Sequence, residues 1–307
     1  MIIMLNNQNE KMKKSGVAAY VVAISLFMFF AGAAFFFYGE NVYEVSRTEE
    51  SVRSYKKYFE GVELQAKAAY VFDVVSDKPL FELNASDQLP LASVTKLMTA
   101  VVAEENLDKN QIVVISGEAI SQSGDSGLLE GEEWMAKDLV GAMLVSSSND
   151  AAFALASGGL SEKNDKGFVY LMNKKANELG LSQTYFLNPT GLDFSNNIAG
   201  SYGSAKDVAS TMSYILKNYP DLLSPTQNSM IDINYRQFTN TNKIVDELSC
   251  LIGGKTGFTN LAGGNLAVMV DAGFERPIVI VVLGSTEEGR FEDVKLLYEK
   301  TLKQFAD

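Results

Sequence analysis

Ala92-Ser93-Val94-Thr95-Lys96-Leu97-Met98-Thr99-Ala100 stands just after Pro90 and opens an apolar run of helical spacing that extends from Leu91 to Glu105. Positions i and i+3 share a helix face, so the Ser93 hydroxyl and the Lys96 amine can meet. A serine hydroxyl is a weak nucleophile unless a neighbouring base takes its proton, and a neutral lysine can do so. Burial and a second nearby cation would lower the pKa of Lys96 in the direction that this role needs. The orphan N–H groups of the first helical turn would lie near the reacting carbonyl. Taken alone the pair means little, because Ser54 and Lys57 repeat the spacing in a charged segment, where a helix-start serine and a solvated lysine are explanation enough.

Composition narrows the chemistry. The chain of 307 residues has no histidine, which removes Ser-His-Asp and Cys-His catalysis and the commonest zinc ligand. Any nucleophile needs another base. A net charge of -12 argues against nucleic acid as a partner, since such binders replace counterions with Lys and Arg. Cys250 is the sole cysteine, so no internal disulfide is possible, and it is expected to be a small packed apolar residue.

Two further motifs supply partners for the pair. Ser147-Ser148-Asn149 separates two helical patterns, Ala136 to Val145 and Asp150 to Ala156. In an extended turn its first and third side chains would point the same way, Ser147 able to pass a proton to a leaving amine and Asn149 to hold a substrate backbone. Ser195-Asn196-Asn197 repeats that pattern in an expected loop. Lys255-Thr256-Gly257-Phe258 occurs once, ahead of the late strands. A strand edge presenting a cation and a hydroxyl can bind a carboxylate, and Gly257 permits close approach of a backbone. The Phe258 and Ser93 N–H groups would then form an oxyanion hole. Together, in this order, the three motifs form the signature set of class A β-lactamases and penicillin-binding proteins.

The wider pattern predicts an α/β (α+β) fold. Ala68 to Val75 and Leu80-Phe81-Glu82 read as a hairpin, Asn265 to Val270 and Ile278 to Leu283 as strands, and Phe291 to Phe305 as a helix. Helical patterns at Phe168 to Leu179 and Ala205 to Leu216 fall between the two groups of strands. Strands from both ends of the chain would form one sheet, flanked by helices and joined by a helical subdomain.

About Ala68 to Leu302 resembles the D-alanyl-D-alanine carboxypeptidases of the low-molecular-weight penicillin-binding protein family, whose fold is β-lactamase/transpeptidase-like with an antiparallel sheet. Gly124-Asp125-Ser126-Gly127, Ser148-Asn149-Asp150-Ala151-Ala152, Phe186-Leu187-Asn188-Pro189-Thr190-Gly191-Leu192-Asp193 and Gly289-Arg290-Phe291-Glu292-Asp293 carry the likeness beyond the three motifs. The resemblance implies that Ser93 is acylated by the penultimate D-alanine of a peptidoglycan stem peptide, with Lys96 as base, Ser147 as proton shuttle and Asn149 as positioning amide. It implies that Lys255 and Thr256 face the substrate carboxylate, that Arg290 adds a fork for it, that β-lactams are covalent inhibitors, and that no metal or cofactor takes part. Ser148 stands where relatives often have glycine, and Phe258 where they often have a polar or ring-hydroxyl residue. A D,D-endopeptidase that cuts cross-links shares this chemistry, and a non-catalytic wall-binding or β-lactam-sensing module is a third reading. A class A β-lactamase would want a deacylating glutamate, whereas Tyr185 to Asn197 offers only Asp193.

Four segments are expected: a tail over 1–16, a membrane anchor over 17–38, a stalk over 39–62 and the peptidase domain over 63–307. Val17 to Tyr38 is an uncharged run of 22 residues, as a helix about 33 Å long against a hydrocarbon core of about 30 Å. Lys11, Lys13 and Lys14 precede it and Glu40, Glu44, Glu49 and Glu50 follow, which places the N-terminus in the cytoplasm and the domain outside. A cleaved signal peptide is the rival reading, and Phe35, Phe36, Phe37 and Tyr38 prolong the apolar run past its small-residue site. The stalk is either a short amphipathic helix or a plain spacer. The sequence does not indicate an oligomeric state.

Overall fold

The computed structural model describes Met28 and residues 57–124, 126–158 and 165–306. The chain divides into Met1–Ser54 and Tyr55–Asp307, and the account below concerns the second unit. The expected anchor and the Ser54 copy of the Ser-x-x-Lys spacing lie outside the described residues, Met28 apart. No helix among the described residues is long and apolar enough to cross a membrane.

A five-stranded antiparallel sheet forms the centre, built from β1 (Ala68–Asp73), β2 (Lys78–Leu83), β3 (Leu251–Thr259), β4 (Gly263–Asp271) and β5 (Pro277–Ser285). Its order is β3-β4-β5-β1-β2, so the N-terminal hairpin joins the C-terminal meander through β1 and β5, with Ala68 opposite Leu283 and Asp73 opposite Ile278. Successive side chains of a strand point to opposite faces, and here both faces are buried. Ala267, Met269, Val279, Val281 and Leu283 face one core, while Leu266, Val268, Val270, Ile278, Ile280 and Val282 face the other. Full burial of each such Val, Ile or Leu stabilises by about 1.5–3 kcal/mol.

The second of these cores is closed by α6 (Gly289–Ala306), through Phe291, Val294, Leu297 and Tyr298. Phe59, in the expected stalk, packs in the same core, its ring 5.3 Å from that of Phe81. The first core is closed by α1 (Lys96–Asn106), α2 (Ala136–Ser146), α3 (Asn149–Gly158), α4 (Asp165–Glu178) and α5 (Ala205–Asn218). These match the helical stretches expected from the sequence to within a few residues at each end, and the predicted antiparallel sheet with flanking helices is the observed arrangement.

One expectation about packing fails. Cys250 is exposed rather than packed. It has a left-handed φ of 57° in the turn that leads into β3, where the chain reverses at the surface and its side chain is turned out of the core.

Candidate active site

Three chain segments converge where α1 begins. Ser93 lies in a 3₁₀ turn, Ala92–Thr95, that runs directly into α1 at Lys96. A 3₁₀ turn has three residues per turn, so side chains at i and i+3 eclipse more closely than in an α-helix. The result is a Lys96 Nζ to Ser93 Oγ separation of 2.9 Å. Ala92, immediately before the serine, has a strained left-handed φ of 49°. Its carbonyl accepts the Thr95 hydroxyl at 2.6 Å, and Thr95 also shares a very short hydrogen bond with Ser201.

The Ser147-Ser148-Asn149 segment takes a different shape from the extended turn expected. Only two residues join α2 to α3, and Ser147 is the left-handed cap of α2 with φ 60° and ψ 29°. Ser148 turns inward and its hydroxyl accepts the Ala151 N–H at 3.0 Å, capping α3. Asn149, the first residue of α3, directs Oδ1 at Lys96 Nζ, 2.7 Å away, and donates from Nδ2 to the Ser123 carbonyl at 2.6 Å. The Ser123 contact fixes which way the amide faces.

Lys255 and Thr256 come from β3, the edge strand. Lys255 Nζ donates to Ser147 Oγ at 2.8 Å and to the Thr256 carbonyl at 3.0 Å. Gly257 is required by contact: a Cβ there would sit 2.8 Å from the Leu91 carbonyl oxygen and 3.1 Å from the backbone nitrogens of Ser93 and Val94. The strand therefore lies against the turn that holds Ser93. Arg290, at the start of α6, is buried and donates from Nη1 to the Gly257 carbonyl at 2.7 Å, its guanidinium 4.7 Å from the Phe291 ring and 6.0 Å from that of Phe258. Phe258 itself is exposed.

Ser93 and Ser147 thus each have a lysine of their own, and both lysines are fully buried. Burial first, and then the neighbouring Lys255 charge, hold the Lys96 pKa well below that of a free lysine, with Asp150 acting the opposite way. Burial and the Arg290 charge bring Lys255 down to about 7. Arg290 is itself lowered by burial.

The hydrogen bonds around Lys96 have a chemical consequence. Asn149 Oδ1 and the Thr190 carbonyl, the latter at 2.6 Å, can only accept. A neutral amine spends its two N–H bonds on them and has one lone pair left, which meets the Ser93 hydroxyl. The site is thereby set for proton abstraction from Ser93.

Sequence reasoning missed the residues that act through the backbone. Thr190 belongs to an Asx turn in which Asn188 Oδ1 accepts the N–H groups of Thr190 and Gly191, and Thr99 anchors it by donating to the Pro189 carbonyl at 2.6 Å. Asn188-Pro189-Thr190-Gly191 carried that turn signal. Asn265 joins the sheet to the segment leading into the Ser93 turn, donating to the Pro90 carbonyl at 3.0 Å and accepting the Gly284 N–H at 2.7 Å. Nothing in the sequence marked it. Asp193 is occupied elsewhere, accepting the Thr259 hydroxyl at 2.9 Å, and the Ser195-Asn196-Asn197 copy is exposed in its loop. No cluster of metal-ligating side chains occurs among the described residues.

The family model for D-alanyl-D-alanine carboxypeptidases matches residues 54–287. The D-alanyl-D-alanine carboxypeptidase DacF of Bacillus subtilis is 32% identical over 78% of this chain and 63% of its own length. A D-alanyl-D-alanine endopeptidase of Pseudomonas aeruginosa is 32% identical over 72% of each chain. The chain spans slightly less than two thirds of the length of the carboxypeptidase relatives DacF and DacC. Among solved structures, penicillin-binding protein D2 from Listeria monocytogenes in its cefotaxime-bound form superposes with a TM-score of 0.70 at 28% identity, over 78% of this chain and 98% of that one. With its three motifs gathered around two buried lysines and the family model spanning most of its length, the chain belongs to the D-alanyl-D-alanine carboxypeptidase family.

Proposed function

We propose that this protein is a serine D-Ala-D-Ala carboxypeptidase that removes the terminal D-alanine from peptidoglycan stem peptides. The carrying observation is the Lys96 amine, held by two obligate acceptors with its lone pair on Ser93. Ser93 Oγ attacks the carbonyl carbon of the penultimate D-alanine while its proton passes to Lys96 Nζ. The tetrahedral oxyanion is received by the N–H groups of Ser93 and Phe258. The C–N bond then breaks as the Lys96 ammonium returns that proton to the departing amine by way of the Ser147 hydroxyl, which Lys255 holds in place by its hydrogen bond, and Lys96 is again neutral. Water, deprotonated by Lys96, cleaves the acyl-enzyme and restores Ser93. Lys255 and Thr256 receive the terminal carboxylate, while Arg290 braces the Gly257 carbonyl behind them and keeps the local field positive. β-Lactams would acylate the same serine.

Mapping the residue modified by a labelled penicillin tests this: the label is expected on Ser93 and absent from Ser93→Ala. Labelling that survives the substitution refutes it. The likeness to a D-alanyl-D-alanine endopeptidase over 72% of both chains favours cross-link cleavage as the second reading. Free D-alanine released from a pentapeptide supports the first reading, and cleavage of a cross-linked dimer supports the second. On our reading Val17 to Tyr38 anchors the protein, with its N-terminus cytoplasmic and the catalytic domain outside. Recovery of the full chain in the membrane fraction after alkaline washing is the expected result, and release into the wash would count against it.

A further inference from the structure

The Thr256 hydroxyl has one hydrogen-bond partner among the described residues, the Thr241 hydroxyl 2.6 Å away. Thr241 follows the strand Arg236–Thr239, and its backbone N–H donates to the Val145 carbonyl at 3.1 Å, two residues before Ser147. It therefore joins the helix that carries Ser147 to the strand that carries Lys255. No sequence motif pointed to it.

Proton counting gives this link a direction. The two hydroxyls have two protons, and one of them lies between the oxygens. If Thr256 supplied it, the Thr241 proton would be left to the Val145 carbonyl at 3.5 Å, beyond the range of about 2.5–3.0 Å for an O–H···O bond. That carbonyl already accepts the Thr241 N–H. If Thr241 supplies it, the 2.6 Å bond is made and Thr256 keeps its own proton for a ligand. A hydroxyl that accepts one hydrogen bond is also a more polarised donor for the next.

We infer that Thr241 is a positioning residue for carboxylate recognition: it donates to Thr256 Oγ1 and so turns the Thr256 proton toward the terminal carboxylate of the substrate. This rests on the reading above in which Thr256 faces that carboxylate. A hydrogen bond to an anionic acceptor is about twice as strong as one between neutral groups, so the effect falls on the free acid more than on a neutral terminus. Thr241 thereby favours release of a chain-terminal residue.

The test compares kcat/KM of the full chain for an acylated D-Ala-D-Ala peptide with that for the same peptide ending in a carboxamide. Thr241→Val is expected to lower the acid-to-amide ratio by about fivefold or more, and Thr241→Ser to restore it to within about twofold. Thr256→Val should lower the ratio at least as far, and Thr241→Val added to Thr256→Val should lower it no further, because Thr241 acts through Thr256. A ratio unchanged in both Thr241→Val and Thr241→Ala, with Thr256→Val still reducing it, overturns the inference alone. Full additivity in the double variant overturns it as well. A ratio unchanged in Thr256→Val overturns the carboxylate reading itself and this inference with it. Should Thr241→Val not fold, Thr241→Ser and Thr241→Ala carry the same comparison.

Discussion

Replacing Gly191 by alanine tests how closely the nucleophile turn is braced. Gly191 has a left-handed φ of 79°, and a Cβ there would lie 1.9 Å from the Ala92 carbonyl oxygen, 2.4 Å from its carbon and 2.7 Å from Thr95 Oγ1. Two of these are backbone atoms, which cannot rotate away. A gap of about 1.1 Å must open to reach even 3.0 Å, and either side that gives way bears on the site. Ala92 is bonded to Ser93, and the Thr190 carbonyl, one residue before Gly191, holds Lys96. Overpacking costs about 1–3 kcal/mol, and a left-handed non-glycine residue about 1–2 kcal/mol. The total, about 2–5 kcal/mol, corresponds to a fall in Tm of about 4–20 °C for a domain of this size. A displacement of about 1 Å at the reacting groups lowers acylation by about 10²-fold. Gly180→Ala is the matched control, since Gly180 has a similar φ of 69° with nothing within 4 Å of the added carbon. It should lose only the conformational part, about 2–4 °C per kcal/mol, and acylate normally. Thermal melts and labelled-penicillin acylation rates decide the matter. If Gly191→Ala acylates at the wild-type rate and melts with Gly180→Ala, the bracing argument is wrong.

Other outcomes follow from the charges in the site. Lys255 must be protonated to receive a carboxylate and is held at about 7, so kcat/KM for a carboxylate-bearing peptide should fall above pH 7, by about tenfold per unit, as initial rates across a pH series would show. The same group sets a stability slope: from pH 7 to 10.5 the unfolded chain keeps the Lys255 proton that the folded chain has lost. Folding therefore strengthens with pH by up to about 1.4 kcal/mol per unit, and denaturant titrations at pH 7 and 9 should show the wild type gaining on Lys255→Met. Asp150 is buried, accepts the Ser126 hydroxyl at 2.6 Å and raises the Lys96 pKa. Asp150→Asn should thus move the acid limb of the acylation profile to lower pH, whereas Ser126→Ala, which keeps the charge, should leave the limb in place. Exposed Cys250 should take one equivalent of a maleimide in the native state without loss of acylation. Slow labelling that requires denaturant would contradict its placement.

Much of the fold was legible because its signals are local. The unbroken apolar runs of β4 and β5, buried on both faces, and the helical spacing of α1, α2 and α5 survive in the sequence, since each element buries surface that only apolar residues can occupy. Cys250 was misjudged because the average behaviour of free cysteine is a statement about cores, whereas this residue stands in a left-handed surface turn. The shape of Ser147-Ser148-Asn149 was misjudged because a two-residue link between helices is governed by how α2 and α3 pack, which no spacing rule records.

Ser93, Lys96, Ser147, Asn149 and Lys255 were named by their order along the chain, and the absence of histidine required a lysine base if there was to be a nucleophile at all. Those are properties of side-chain chemistry, and they can be read without coordinates. Tertiary structure alone decided that Lys96 is buried among two obligate acceptors, that Gly257 is pressed against the Ser93 backbone, and that Asn265, Thr190 and Thr241 brace the site. Most of these depend on backbone carbonyls and N–H groups, which carry no side-chain identity, and all of them on contacts between residues well separated along the chain. A backbone group has no letter in the sequence, so its role appears only when the chain is folded around it.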